Sequence, residues 1–175
     1  GAFPVSSSSA LLLTVSIFPG PYRIGAAAGS GKTVYSNTAG RGSYRGPWMI
    51  ETVARELMID HVARALGIDP LEMRRRNVLG EGDLPYAMAT GFVLDQMTAA
   101  ATLEQAAELI RYDDFRDRQA EWRAEGRLVG LGMSVLAEPS AIASGWFSTD
   151  AATVRIGLGG GVEVITTAAS HGQSL

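Results

Sequence analysis

The sequence predicts an α+β fold, with helices packed on mixed or antiparallel sheets. Three observations carry this. Apolar residues recur at helical spacing from residue 49 onward, two further helical runs occupy residues 102–125, and beyond Gly126 the pattern turns to strand-like alternation around a glycine triplet.

In chain order, residues 11–18 (Leu-Leu-Leu-Thr-Val-Ser-Ile-Phe) read as a buried strand, stopped by Pro19-Gly20-Pro21. A short strand over 33–36 is expected after a small-residue loop. From Met49, residues Ile50, Val53, Ala54, Leu57, Met58 and Val62 make one apolar helix face, expected to be the core face. Glu51 with Arg55 and Asp60 with Arg64 are expected as outward i,i+4 ion pairs. Gly67 ends this helix, and a second starts at once. Asp69 is its cap, Pro70 sits where no N–H is needed, and Glu72 completes a capping box. Arg74, Arg75 and Arg76 close that helix beside its negative dipole end and are expected to be solvated. Residues 80–91 read as a loop, 102–112 and 114–125 as helices, and 129–136 as a glycine-spaced strand. Strands at 153–158 and 162–167 flank Gly159–Gly161 as a hairpin. Residues 1–125 are expected to belong to one domain and 126–175 to the start of a second, both incomplete.

The 175 residues are 46% hydrophobic and 19% charged, enough apolar material for a core. A net charge of −3 argues against a nucleic-acid partner, which needs a basic face. The absence of cysteine excludes disulfides, thiolate metal sites, iron–sulfur clusters and a cysteine nucleophile within the chain. Two histidines, His61 and His171, exclude a multi-histidine metal site. The apolar run at 10–18 is too short to span a bilayer. A start at Gly1 within a strand-like run and an end just after another strand lead to the expectation of an internal piece of a longer chain.

Three stretches carry polar chemistry. Residues 26–33 (Ala-Ala-Ala-Gly-Ser-Gly-Lys-Thr) satisfy a relaxed phosphate-loop spacing, and nucleotide binding through Lys32 and Thr33 is the alternative reading. The strand and turn composition after Thr33, however, denies the motif the helix whose amides would hold a phosphate. Residues 40–48 combine glycines, which permit close backbone approach, with Arg41 and Arg45 as planar donors and Tyr44 and Trp48 as flat walls. Residues 170–174 follow a strand and contain Gln173, whose amide both donates and accepts. No nucleophile elbow is present, and no Ser/His/Asp pairing can be assigned.

The run Tyr-Arg-Gly-Pro-Trp-Met at 44–49, continued through Leu-Gly-Ile-Asp-Pro-Leu-Glu-Met-Arg-Arg-Arg-Asn at 66–77, resembles the molybdenum-binding large subunit of the xanthine dehydrogenase and aldehyde oxidase family. Gly20-Pro-Tyr-Arg-Ile24 and His171-Gly-Gln173 agree with it, so the likeness covers nearly the whole chain. It implies part of an oxidoreductase that hydroxylates an aldehyde, N-heterocycle or related small molecule with oxygen from water. It also implies a molybdopterin cofactor, in the cytosine dinucleotide form, with FAD and 2Fe-2S centres on partner subunits of a cytoplasmic hetero-oligomer. Tyr44, Arg45 and Gly46 match the family's cofactor loop, and Gly172 and Gln173 its Gly-Gln-Gly turn, with Ser174 in place of the last glycine. Pro47 and Trp48 fall on the substrate side of that loop. Carbon monoxide dehydrogenases of the family carry a cysteine where Gly46 stands, which disfavours that substrate. The family's catalytic glutamate matches no residue here, so no catalytic residue is assigned within the chain. A scaffold piece without cofactor is the remaining alternative.

Overall fold

The structure is a computed structural model, and it describes residues 7–37, 49–138 and 151–168. The chain divides into two compact units, one holding residues 1–42 and 47–137, the other 43–46 and 138–175.

In the larger unit, α1 (Ser7–Ser16) stands where a strand was expected. The residues explain it: Ala10 and Leu11–Leu13 are strong helix formers, and they outweigh the β-branched Thr14, Val15 and Ile17. Ser16 turns its Oγ back onto the Leu12 carbonyl at 2.8 Å, and the turn 17–20, with Pro19 and Pro21, stops the helix. The expected strand at 33–36 does not form; residues 25–37 run exposed without a ladder. Their glycines serve α1. A Cβ at Gly31 would fall 2.2 Å from Leu11 Cδ1 and one at Gly29 3.0 Å from Val15 Cγ1, so this loop crosses the helix closely enough that a larger residue would displace the Leu11 side chain.

Helix α2 (Met49–Leu66) ends at Gly67 with φ of 66°, as expected. Its orientation is the reverse of the expectation. Ile50, Val53, Leu57, Met58 and Val62 are exposed, Ile50 by 61% and Leu57 by 62%, while Glu51, Thr52, Arg55, Glu56 and Ala63 are buried. Helix α3 (Pro70–Asn77) starts as read: the Asp69 carboxylate accepts from the Leu71 and Glu72 amides at 2.8 and 3.2 Å. Glu72 reaches forward to Arg76 at 2.7 Å, the i,i+4 partner, rather than back to the cap. Past α3 the chain pairs with its own beginning. Tyr22 and Val78 form an antiparallel bridge, with the Arg23 amide on the Asn77 carbonyl and the Leu79 amide on the Pro21 carbonyl.

A 3-10 turn (Glu81–Asp83) leads to a short antiparallel pair, β1 (Tyr86–Ala87), inside the stretch read as loop, with β2 (Val93–Leu94) just after it. Helices α4 (Ala99–Leu109) and α5 (Tyr112–Ala124) follow close to their expected bounds. The core gathers Tyr22, Leu71, Leu103, Ala107, Tyr112 and Val135, so α3, α4 and the start of α5 close over the segment entering from residue 131. That segment, expected as a strand at 129–136, has no ladder partner among the described residues; side chains hold its backbone instead.

Tyr112 ties α5 to the α3 cap, its hydroxyl donating to both Asp69 oxygens at 3.1 and 2.9 Å. Burial, then the bond to Asp69 and its charge, push the phenol up to about 12 from 10.0. A folded value above the unfolded one gives stability that is complete below pH 10 and lost as pH climbs through about 12. Chemical denaturation at a series of alkaline pH values is expected to show that loss. In Tyr112→Phe the same pH window should lack this component of the slope.

In the smaller unit, β3 (Ala152–Ile156) pairs antiparallel with β4 (Val162–Thr166), with Val154 opposite Val164. The glycine triplet makes the turn as read, Gly160 taking φ of 82°.

Candidate functional site

The residues expected to hold cofactor (Tyr44, Arg45, Gly46, Gly172 and Gln173) and those expected toward substrate (Pro47 and Trp48) lie outside the described residues, as does His171. What the structure does show is the ground immediately after the 44–48 loop. There the first two turns of α2 present Glu51, Thr52, Arg55 and Glu56 to the interior.

Glu56 is the hub. Its Oε2 accepts from the Tyr22 hydroxyl at 3.0 Å, from Arg74 Nε at 3.0 Å and from the Val135 amide at 3.2 Å, and its Oε1 from Arg55 Nε at 3.3 Å. Arg74, fully buried at 0% exposure, also donates to Asp60 at 2.8 Å and to the Pro70 and Met133 carbonyls, each at 3.1 Å. Arg55, 2% exposed, donates to the Phe18 carbonyl at 3.2 Å, to Thr52 Oγ1 at 3.1 Å and to the Val135 carbonyl at 3.2 Å. Two guanidinium groups thus stitch α2, α3, the turn at 17–20 and the backbone at 133–135 into one polar knot.

The protonation states follow. Burial opposes charge on Arg74, but its hydrogen bond to Asp60 and the Glu56 charge outweigh that penalty and hold it above the ordinary arginine value. Burial, reinforced by Glu56, raises the Tyr22 phenol far above its usual range, so Tyr22 is a neutral donor.

Three expectations are corrected here. Arg74 is not solvated: only Arg75 and Arg76 of the trio are exposed, paired with Glu104 and Glu72. Glu51 and Arg55 are not an outward pair, both being interior. Asp60 pairs with Arg74. The signal available was a second helical stripe in α2, positions 52, 55, 56, 59 and 63, as periodic as the apolar one.

Glu51 is the exception within the knot. It is 1% exposed, and Thr52 Oγ1 donates to its Oε1 at 2.8 Å with Arg55 Nη1 farther off at 3.8 Å. Its Oε2 has no hydrogen-bond partner among the described residues. A buried oxygen in that state costs about 1–3 kcal/mol or more unless a donor reaches it. A pterin, whose amino group and ring N–H are donors, fits such an acceptor.

The nucleotide alternative loses its basis in the same structure. No helix follows Lys32 and Thr33, and Gly29 and Gly31 are accounted for by their approach to α1. Among the described residues no cluster of His, Asp or Glu could hold a metal, and no helix is long and apolar enough to cross a membrane.

Residues 1–78 and 105–175 match two molybdopterin cofactor-binding domain families. The chain is 32% identical over 170 residues to the nicotine 6-hydroxylase large subunit of Paenarthrobacter nicotinovorans, aligning 91% of itself with 21% of that protein. It is 31% identical to the gamma subunit of the 6-hydroxypseudooxynicotine dehydrogenase complex of the same organism, over 93% of itself and 21% of that protein. Among solved structures, quinoline 2-oxidoreductase of Pseudomonas putida 86 is similar at TM-score 0.59 and 40% identity, over 70% of this chain and 17% of that one. Reconstituted CO dehydrogenase of Oligotropha carboxidovorans shares the fold at TM-score 0.53 and 19% identity, over 71% and 17%. The chain thus spans about a fifth of the length of the curated relatives it matches.

Proposed function

We propose, for a chain that belongs to the molybdopterin cofactor-binding family of xanthine dehydrogenase-type large subunits, that it supplies part of the cofactor pocket of a molybdenum hydroxylase. The observation that carries this is the match of two cofactor-binding domain families to residues 1–78 and 105–175, joined by the polar knot on α2 and α3. The proposed enzyme is a molybdenum-dependent oxidoreductase acting on an aldehyde, N-heterocycle or related small molecule. It works in a hetero-oligomer with FAD-binding and 2Fe-2S subunits, its molybdopterin in the cytosine dinucleotide form. When bound, the molybdenum centre supplies the two-electron oxidation that inserts an oxygen from water into a substrate C–H bond.

The chain's own share is binding and positioning. Arg45 offers a planar fork of donors to the cofactor, Gly46 lets the backbone approach it, and Tyr44 walls it. Gly172 and Gln173 hold it from the second segment, Gln173 through an amide that both donates and accepts. Pro47 and Trp48 border the substrate. Gly46 in place of a cysteine makes carbon monoxide a poor candidate substrate, although one similar protein is named a carbon monoxide dehydrogenase large chain. The proposed domain division stays at residues 125 and 126.

In the full-length protein isolated with its partner subunits, Arg45→Ala and Gln173→Ala are each expected to lower molybdenum per mole of protein about tenfold, the worth of a charge-assisted or buried hydrogen bond. Metal analysis reads this directly. Wild-type occupancy in both variants would overturn the assignment.

A further inference from the structure

We infer that Glu51 is a cofactor ligand: its free carboxylate oxygen accepts a hydrogen bond from the amino-pyrimidinone edge of the pterin. The inference rests on the functional reading above and adds a residue and an orientation to it.

Glu51 and Glu56 lie on one helix, five residues apart, and both are buried. Glu56 has donors on both oxygens: Tyr22, Arg74 and the Val135 amide on Oε2, Arg55 on Oε1. Glu51 has Thr52 on Oε1 and, among the described residues, nothing on Oε2. Arg55 does not supply the missing donor as it stands. Its Nε is bonded to Glu56 and its Nη2 to Thr52 and the Val135 carbonyl, while Nη1, bonded to the Phe18 carbonyl, stays 3.8 Å from Glu51 Oε1, and Gly20 packs against the guanidinium. Among the described residues no donor reaches Oε2, which leaves it open to one from a ligand.

Position says from where. Glu51 stands three residues after Trp48, at the end of the loop that carries the proposed cofactor contacts. Charge says which part of the cofactor. The phosphates and the dithiolene are anionic and would be repelled by a buried carboxylate, whereas the pterin edge presents N–H donors. Glu51 thus takes the donor edge of the pterin and not its anionic groups.

The test uses the full-length protein with its partner subunits, as wild type, Glu51→Gln and Glu51→Asp. Molybdenum is measured by metal analysis, pterin by fluorescence after oxidative release, and folding by the thermal transition of cofactor-stripped protein. Glu51→Gln replaces the carboxylate by an amide of the same shape. It is expected to lower pterin and molybdenum together by about tenfold while the stripped protein melts like wild type. Glu51→Asp, which withdraws the acceptor by one methylene, is expected to fall between the two and keeps the question open to measurement if Glu51→Gln does not fold. Wild-type pterin content in the folded variants would overturn the inference, as would a loss of pterin that only tracks a lowered transition. A wild-type protein without pterin or molybdenum would overturn the functional reading itself.

Discussion

Arg74→Met is expected to destabilise the folded chain by about 3 kcal/mol, the cost of taking from a buried carboxylate one of its two guanidinium partners. The size follows from what the guanidinium does. It is fully buried, its Nε donates to Glu56 at 3.0 Å with Nη2 at 3.0 Å from the same carboxylate oxygen, and it also satisfies the Pro70 and Met133 carbonyls. Methionine fills the volume but donates nothing, so Glu56 keeps only Tyr22, the Val135 amide and Arg55, while two carbonyls lose a donor. Asp60→Asn is the internal comparison. It removes a charge at the half-buried edge of the same guanidinium, where solvent screens the pair, and is expected to cost less than about 1 kcal/mol. Urea unfolding followed by circular dichroism ranks the two. Equal costs would mean that the charge on Arg74 is screened and that packing alone holds α3 to α2.

The same knot explains how much of the molecule could be read from its residues. Helix boundaries were legible because caps and stops are local: Asp69 and Pro70 at the start of α3, Gly67 at the end of α2, the glycine triplet of the hairpin. Orientation was not. In α2 the apolar stripe lies beside a second one led by the polar Thr52, Arg55 and Glu56 and continued by Ile59 and Ala63, and periodicity marks a face without saying which way it points. The polar stripe faces inward because Tyr22, Arg74 and the backbone at 133–135 lie there, partners up to 80 residues away along the chain. Segment 129–136 was misread for a related reason. Its alternation suits a strand, but its carbonyls and amides are met by arginine and glutamate side chains rather than by a neighbouring strand. α1 was misread because Leu-Leu-Leu followed by Thr, Val and Ile suits either element, and the glycines that let the next loop cross it read only as a small-residue loop. Of the site, the cofactor loop and the Gly-Gln turn rest on resemblance, whereas Glu51, Glu56 and Arg74 emerged only from burial and hydrogen bonding.

Gly20→Ala is the second large expected effect, and it tests whether the turn at 17–20 and the start of α2 form one unit. Gly20 has φ of 58°, where an alanine costs about 1 kcal/mol in backbone strain alone. A Cβ there would also lie 2.4 Å from Arg55 Cζ and 2.5 Å from Nη1, well inside any real contact. The guanidinium could yield only by giving up bonds to the Phe18 carbonyl, Thr52, Glu56 and the Val135 carbonyl, so the total cost is expected at roughly 3–4 kcal/mol. Arg55→Met separates the two contributions. With the guanidinium gone the clash is relieved, and Gly20→Ala should cost only the backbone strain, about 1 kcal/mol. The two changes together are then less damaging than the sum of each alone by about 2 kcal/mol. A cost that is small and identical in both backgrounds would show that Arg55 moves aside freely. The knot would then be too loose to hold the entrance of α2, and with it Glu51, in a fixed position.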